Sequence, residues 1–158
     1  VYGLGERERL LLRIAVMLHD VGKYISMNFI AESSYNIIMS NEIIGLSHAE
    51  RETIALIARY NTREMPPFEE LSQETSIDTG RYLLVAELTA IVRYANSLDR
   101  SHMQKVQSIR AVLREQELRL YLEVNRDFTL EQGLIGEKAD FFYEVFSVRP
   151  VLKIKRQI

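Results

Sequence analysis

The spacing of apolar residues changes after Lys105, and that change restricts the chain to two successive kinds of architecture. Before it, apolar residues recur three and four positions apart. Beyond it, Ile109, Ala111 and Leu113 alternate with Arg110, Val112 and Arg114. Leu118, Leu120, Leu122 and Val124 then alternate with Arg119, Tyr121 and Glu123. The first spacing gives a helix one buried stripe, and the second gives a strand one buried face. A pattern made for one geometry does not settle in the other. The expectation is a mainly α helical bundle over residues 1–105. A small α+β part, β-β-α-β in order, follows over residues 106–158 and packs on it.

Within the helical part, a first helix is expected from about Glu6 to Asp20. Leu10, Ile14, Met17, Leu18 and Val21 form its buried stripe, and Gly22 is its stop. A second helix fits Ala31 to Asn41, with Tyr35, Ile38, Met39 and Glu42 on one face and Gly45 ending it. Ser47 and Glu50 match a capping box for a third helix from His48 to about Arg63, with Ile54, Ile57, Ala58 and Asn61 together. Met65-Pro66-Pro67 cannot continue that helix. Residues 62–78 therefore read as a polar, mobile loop with at most a short turn. The fourth helix, Thr79 to Asp99, carries Leu84, Leu88, Ile91, Ala95 and Leu98 and is expected to be central. In the α+β part, a hairpin turns at Glu115-Gln116. A helix from Gly136 to Phe146 inserts Ala139, Phe142, Tyr143 and Phe146, and a strand from Val151 to Arg156 completes an antiparallel sheet.

The 158 residues suffice for one domain, or one domain with an appendage. There is no cysteine, which excludes disulfides, thiolate catalysis and Cys-based metal sites. It also fits a reducing, cytoplasmic setting. A formal charge of −2 gives no global reason to bind nucleic acid or an anionic membrane. No apolar run approaches the roughly 20 residues of a membrane span. No signal peptide is visible ahead of Glu6-Arg7-Glu8-Arg9. The sequence lacks an initiator Met and opens almost directly on a helix, which points to a piece of a longer polypeptide.

The chemistry-bearing stretch is His19-Asp20-Val21-Gly22-Lys23. Imidazole and carboxylate together bind borderline divalent metals, and a metal-bound water is a nucleophile near neutral pH. Two donors do not complete a site. The competing reading has His19 donating to a backbone carbonyl and Asp20 capping a neighbouring element. Arg59, Arg63, Arg93 and Arg100 lie towards the ends of two helices, where guanidinium groups take phosphate in a bidentate way. Lys23 and His102 join them as phosphate-binding candidates. Against this stands ordinary ion pairing of the arginines with Glu52, Glu64 or Glu87. The basic positions of the strands are interleaved with Glu115, Glu117 and Glu123, so they read as a solvated mixed face. The tyrosines form no stacking platform for single strands, and no nucleic-acid partner is expected.

Three blocks in order, YGLGERERLLLRIAVMLHDVGKYIS, SYNIIMSNEIIGLSHAERETIALIARYN and LDRSH, resemble the C-terminal HD-like region of the exopolyphosphatase/guanosine pentaphosphate phosphohydrolase (Ppx/GppA) family. The resemblance covers Tyr2 to His102, and the strand-rich tail is also similar. It implies an HD-like helical bundle in which His19 and Asp20 correspond to two metal ligands. In the family, hydrolysis of phosphoanhydride bonds is assigned to N-terminal actin-like domains, and nothing here matches their phosphate-binding glycine loops.

Other ligand positions depart from the family pattern. Relatives commonly have histidine where this chain has Ile30-Ala31-Glu32-Ser33, and often have histidine at Asn61. The closing metal aspartate is replaced by Asn96 in Ala95-Asn96-Ser97-Leu98-Asp99. An amide brings no charge and binds such metals weakly. Glu32 and Asp99 are the acidic substitutes, and nothing in the sequence places them beside His19. The resemblance therefore implies an accessory, non-catalytic region of an exopolyphosphatase-like parent. Its role would be binding of polyphosphate or guanosine polyphosphate, or homodimerisation, with at most a weakly held divalent metal. One alternative is an HD-type metal-dependent phosphohydrolase with a degenerate site, and the other is a pure protein-interaction domain.

Overall fold

The computed structural model describes residues 3–156, so Tyr2 at the head of the first block lies outside the described residues. Its elements are α1 (Glu6–Leu18), a 3-10 turn (Val21–Tyr24), α2 (Ile30–Ser40), α3 (His48–Tyr60), α4 (Phe68–Glu74), α5 (Thr79–Leu98), β1 (Val106–Arg114), β2 (Glu117–Val124), α6 (Thr129–Phe146) and β3 (Arg149–Arg156). The chain is mainly α with a small α+β part at its C-terminal end, as the change of period predicts. It divides after Val92 into two compact units.

In the first unit the centre is α3, whose residues from Glu52 to Ala58 are all buried. Around it close Leu11 and Ala15 of α1, Ile38 of α2, Leu71 of α4, and Val85, Leu88 and Val92 of α5. The expectation that the Thr79–Asp99 helix is the central one is corrected on this point. Its fully buried row here is Val85-Leu88-Val92, with Leu84 and Ile91 of the expected row packed beside it partly buried and Ala95 exposed. A helix apolar all round is an interior helix, and α3 fits that description along its middle.

The stripe expected on α1 is corrected in part, since Ile14 and Leu18 do pack, partly buried, against the core. Leu10 and Met17 are exposed, while Leu11 and Ala15 are buried. Residues 10–18 are apolar at every position but Arg13, so spacing alone does not choose a face. Packing against α3 chooses it.

The α3 cap forms as read. The Ser47 hydroxyl accepts from the Glu50 N–H at 3.3 Å, and the Glu50 carboxylate accepts from the Ser47 N–H at 2.8 Å. The same carboxylate takes Arg7 of α1 in a bidentate pair at 2.6 and 2.9 Å. Those bonds, Arg7 first, bring its pKa down to about 2. The segment read as a mobile loop holds α4. Leu71 enters the core, and the Phe68 ring lies edge-on to Tyr82 with centroids 5.7 Å apart. α3 has already ended at Tyr60, ahead of the prolines, and Pro67 stands at the N-cap of this helix.

Gly22 does not stop α1, which ends at Leu18. It sits buried in the 3-10 turn. Its N–H donates to the Ser34 hydroxyl of α2 at 2.9 Å. A Cβ added there would lie 2.3 Å from the Ile30 carbonyl oxygen and 2.6 Å from the Ser34 nitrogen. The glycine is required because backbone meets backbone at this point. Gly45, expected to stop α2, lies beyond the helix end in a left-handed turn at φ 88°.

In the second unit, β1 and β2 form the expected hairpin, with Arg114 opposite Glu117 and Glu115 left-handed at φ 52° in the turn. β3 pairs with β2 in parallel, from Glu117 opposite Arg149 to Val124 opposite Arg156. The expected all-antiparallel sheet is corrected to a mixed one of order β1-β2-β3. A parallel neighbour needs a long crossover, and α6 supplies it. This helix starts at Thr129, ahead of the expected Gly136. Gly133 and Gly136 lie on its open side, where an added Cβ would touch nothing within 4 Å. Ile135, Ala139, Phe142 and Phe146 are buried, and Tyr143, expected with them, is exposed. The Phe142 ring packs on Phe146 at 4.6 Å and on Tyr94, in the last turns of α5, at 5.9 Å. On the sheet, Leu120, Leu122 and Val124 of β2 are buried, while Ile109 and Leu113 of β1 stay exposed.

One buried charge organises the segment between α5 and β1. Glu131 of α6 has no exposed surface. Its Oε1 accepts from the Ser101 hydroxyl at 2.6 Å, and its Oε2 from the Lys105 ammonium at 3.0 Å. Burial acts to raise the Glu131 pKa, but the Ser101 and Lys105 hydrogen bonds outweigh it and bring the pKa down to about 2.

Two outcomes follow from this packing. Gly22→Ala should lose about 3 kcal/mol, the upper end of ordinary overpacking, because the added methyl meets backbone. Urea unfolding measures this, and a loss below about 0.5 kcal/mol contradicts the close approach. The depressed carboxyls of Glu50 and Glu131 stabilise the folded state fully above the unfolded carboxyl pKa of about 4.3. That contribution is lost as pH falls towards their folded pKa of about 2. Tm should therefore drop across this window, and less steeply in Glu131→Gln. Parallel Tm profiles for the two proteins would count against a buried ionised Glu131.

Candidate functional site

His19 and Asp20 follow the last turn of α1 and precede the 3-10 turn. The His19 Nδ1 lies 2.6 Å from the Val16 carbonyl oxygen. A carbonyl only accepts, so Nδ1 is the donor, and Nε2 is the ring nitrogen left for any metal. Metal-binding histidines are oriented in this way. Asp20 is engaged elsewhere. Its carboxylate pairs with the Lys23 ammonium within hydrogen-bond distance, and this pair, chiefly, holds its pKa below the usual range. Among the described residues no group of three or more His, Asp or Glu side chains is placed to hold a metal ion. A catalytic zinc site takes three protein ligands, and His19 and Asp20 offer two.

The residues offered as substitute ligands have other partners. Glu32 is on the first turn of α2, and its Oε1 accepts from Arg59 Nε at 2.9 Å and from Arg63 Nη1 at 2.5 Å. The Asp99 carboxylate accepts from the Gln104 N–H at 2.9 Å. Asn61 is buried at the end of α3, where its side-chain amide donates to the Ala58 carbonyl at 2.6 Å. Asn96 is exposed on α5.

The phosphate-binding candidates fall in both units. In the first, Lys23 pairs with Asp20, and Arg59 and Arg63 come together on Glu32. Arg59 is the better fixed of the two. Its guanidinium lies 4.9 Å over the Tyr35 ring and 5.7 Å from the centre of Tyr60, and Glu74 Oε2 stands 3.9 Å away. Burial acts to lower the Arg59 pKa, but the Glu32 hydrogen bond and the neighbouring acidic and phenolic groups outweigh it. Burial comes first in raising the Tyr35 and Tyr60 phenols.

In the second unit, the Arg93 guanidinium lies 4.2 Å over the Phe141 ring. Arg100 and His102 are exposed in the turn after α5, with His102 left-handed at φ 53°. Arg59 and Arg63 do form ion pairs, as the competing reading has it, but their carboxylate is Glu32, not Glu52 or Glu64. Glu52 is buried and accepts instead from the Ser76 hydroxyl and N–H at 2.5 and 3.2 Å.

Sequence reasoning missed Glu131 and Lys105. A signal existed, since Glu131 stands three residues after Phe128 and four before Ile135 on the inward face of α6. No comparable signal joined Glu32 to arginines 27 and 31 positions away.

The family model described as Ppx/GppA phosphatase, domain III, matches residues 3–140 of the chain. No curated protein matches it. Among the described residues no helix is long and apolar enough to cross a membrane.

Proposed function

The chain belongs to the Ppx/GppA phosphatase family as its domain III, and on that premise we propose that it is an accessory, non-catalytic region of an exopolyphosphatase-like protein that binds phosphate-rich ligands. The ligands are inorganic polyphosphate or guanosine polyphosphate, brought by the parent protein, which works in the cytoplasm as a homodimer. One observation carries the reading. Arg59 and Arg63 converge on a single carboxylate oxygen at 2.9 and 2.5 Å. Two guanidinium groups that meet at one anionic oxygen are spaced to meet a phosphoryl group as well. The non-catalytic half of the reading is supported by the engagement of Asp20 with Lys23 and the incomplete donor set around His19.

The deciding assay incubates the purified chain with polyphosphate and with guanosine pentaphosphate in the presence of Mg²⁺ or Mn²⁺. Binding without release of phosphate is expected. Steady turnover that disappears in His19→Ala would establish the metal-dependent phosphohydrolase instead.

A second reading, an interaction surface that includes self-association, is favoured by a different observation. Met17, Tyr24, Ile25, Met27 and Phe29 are between 62% and 92% exposed in the first unit. Large apolar side chains left in water close together in sequence are candidates for a contact surface. Light scattering of the purified chain should give twice the chain mass, with Tyr24→Lys returning it to one. A wild-type monomer at about 0.1 mM, weaker than a typical specific association, sinks this reading.

A further inference from the structure

The geometry points to Glu32 as a built-in occupant of the phosphate position. Its carboxylate holds Arg59 and Arg63 in the free protein and is displaced when a phosphoryl group binds. This rests on the phosphate-binding reading above and adds the device that regulates that site.

Arg59 stands in the last turn of α3 and Arg63 three residues past its end, and two like charges brought this close repel unless an anion lies between them. The chain supplies that anion from another helix. Glu32 gives both guanidiniums the same oxygen, Oε1. A phosphoryl group has more charge and three oxygens, so each guanidinium gains its own acceptor. The exchange is therefore downhill for a phosphate ester or chain and not for a monocarboxylate.

Three further features suit a displaceable occupant. The Glu32 and Arg63 side chains keep 31% and 44% of their surface in water, so a ligand reaches them without opening the core. Arg59 is only 20% exposed and is stacked on Tyr35, so its position does not depend on Glu32 alone. Glu32 is the third residue of α2, whose first-turn N–H groups lack helical partners and favour a negative charge. A displaced carboxylate thus keeps a favourable environment. The affinity of the free protein is lowered by the fraction of molecules in which Glu32 occupies the arginines.

The test is calorimetric titration of the whole chain with inorganic tripolyphosphate at about 0.1 M salt, where exposed charges are screened beyond roughly 10 Å. Glu32→Gln should bind about tenfold tighter than wild type, because the internal competitor loses its charge. Glu32→Gln combined with Arg63→Gln should lose that gain. Equal affinity of wild type and Glu32→Gln overturns the inference and leaves the phosphate-binding reading standing. Absence of binding by both overturns inference and reading together. Retention of the gain in the double variant also overturns it, since the ligand would then sit elsewhere. A second measurement needs no variant. The Arg59 Nε–H resonance of the wild type, hydrogen-bonded to Glu32, should shift on tripolyphosphate addition. A resonance unmoved at saturating ligand refutes the displacement.

Discussion

The enclosure of α3 is the constraint on which the first unit depends. A helix buried from Glu52 to Ala58 has water only at its ends, yet it carries Glu50, Arg51, Glu52 and Arg59 on or beside the buried stretch. Each of these groups must meet a partner or shed its charge. Glu50 meets Arg7 from α1, Arg51 meets the Asn41 carbonyl after α2, Glu52 meets Ser76 after α4, and Arg59 meets Glu32 from α2. The apolar core gives the surrounding helices a reason to gather around α3. The polar partners fix the register in which they do so. The arginine cluster is thus a consequence of the packing before it is anything else, and its possible chemistry is inherited from that geometry.

The His19-Asp20-Val21-Gly22-Lys23 stretch sits at the edge of this arrangement. Its most demanding member is the glycine, because the 3-10 turn lies on α2 with no room for a side chain. The ionisable members face water and satisfy one another or the local backbone. A motif of this kind can persist for the sake of the backbone crossing as well as for a metal. The proposed ligand role therefore moves from the doublet to Arg59 at the end of α3 and Arg63 just beyond it, with Glu32 in place of the missing anion.

In the second unit one ionised carboxylate does comparable work. Glu131 is buried on α6 and collects Ser101 and Lys105 from the segment that leads into β1. Removing either donor would leave a charge in the interior, which is far more costly than never having buried it. The network therefore specifies where β1 begins more than it adds net stability. The β2–α6–β3 connection follows from the same helix, since α6 lies against β3 and returns the chain to run beside β2 in the same direction.

Periodicity by itself determined the fold class and the hairpin near Glu115-Gln116, whose two residues carry no turn signal of their own, and capping chemistry determined the α3 capping box. These rest on interactions within a few residues, where the sequence states both partners. The family too was legible, because long blocks in order carry far more information than a doublet. What the tertiary structure alone decided was the buried face of α1, the choice of α3 as the central helix, the parallel setting of β3, and the meeting of Glu32 with Arg59 and Arg63. In α1 nearly every position is apolar, so local spacing leaves several faces equivalent and only contact with α3 distinguishes them. Strand direction depends on the path of the connection, which the alternating pattern of a strand does not record. The Glu32 pairing spans about thirty residues, and a carboxylate carries no mark of which distant guanidinium the packing will bring to it.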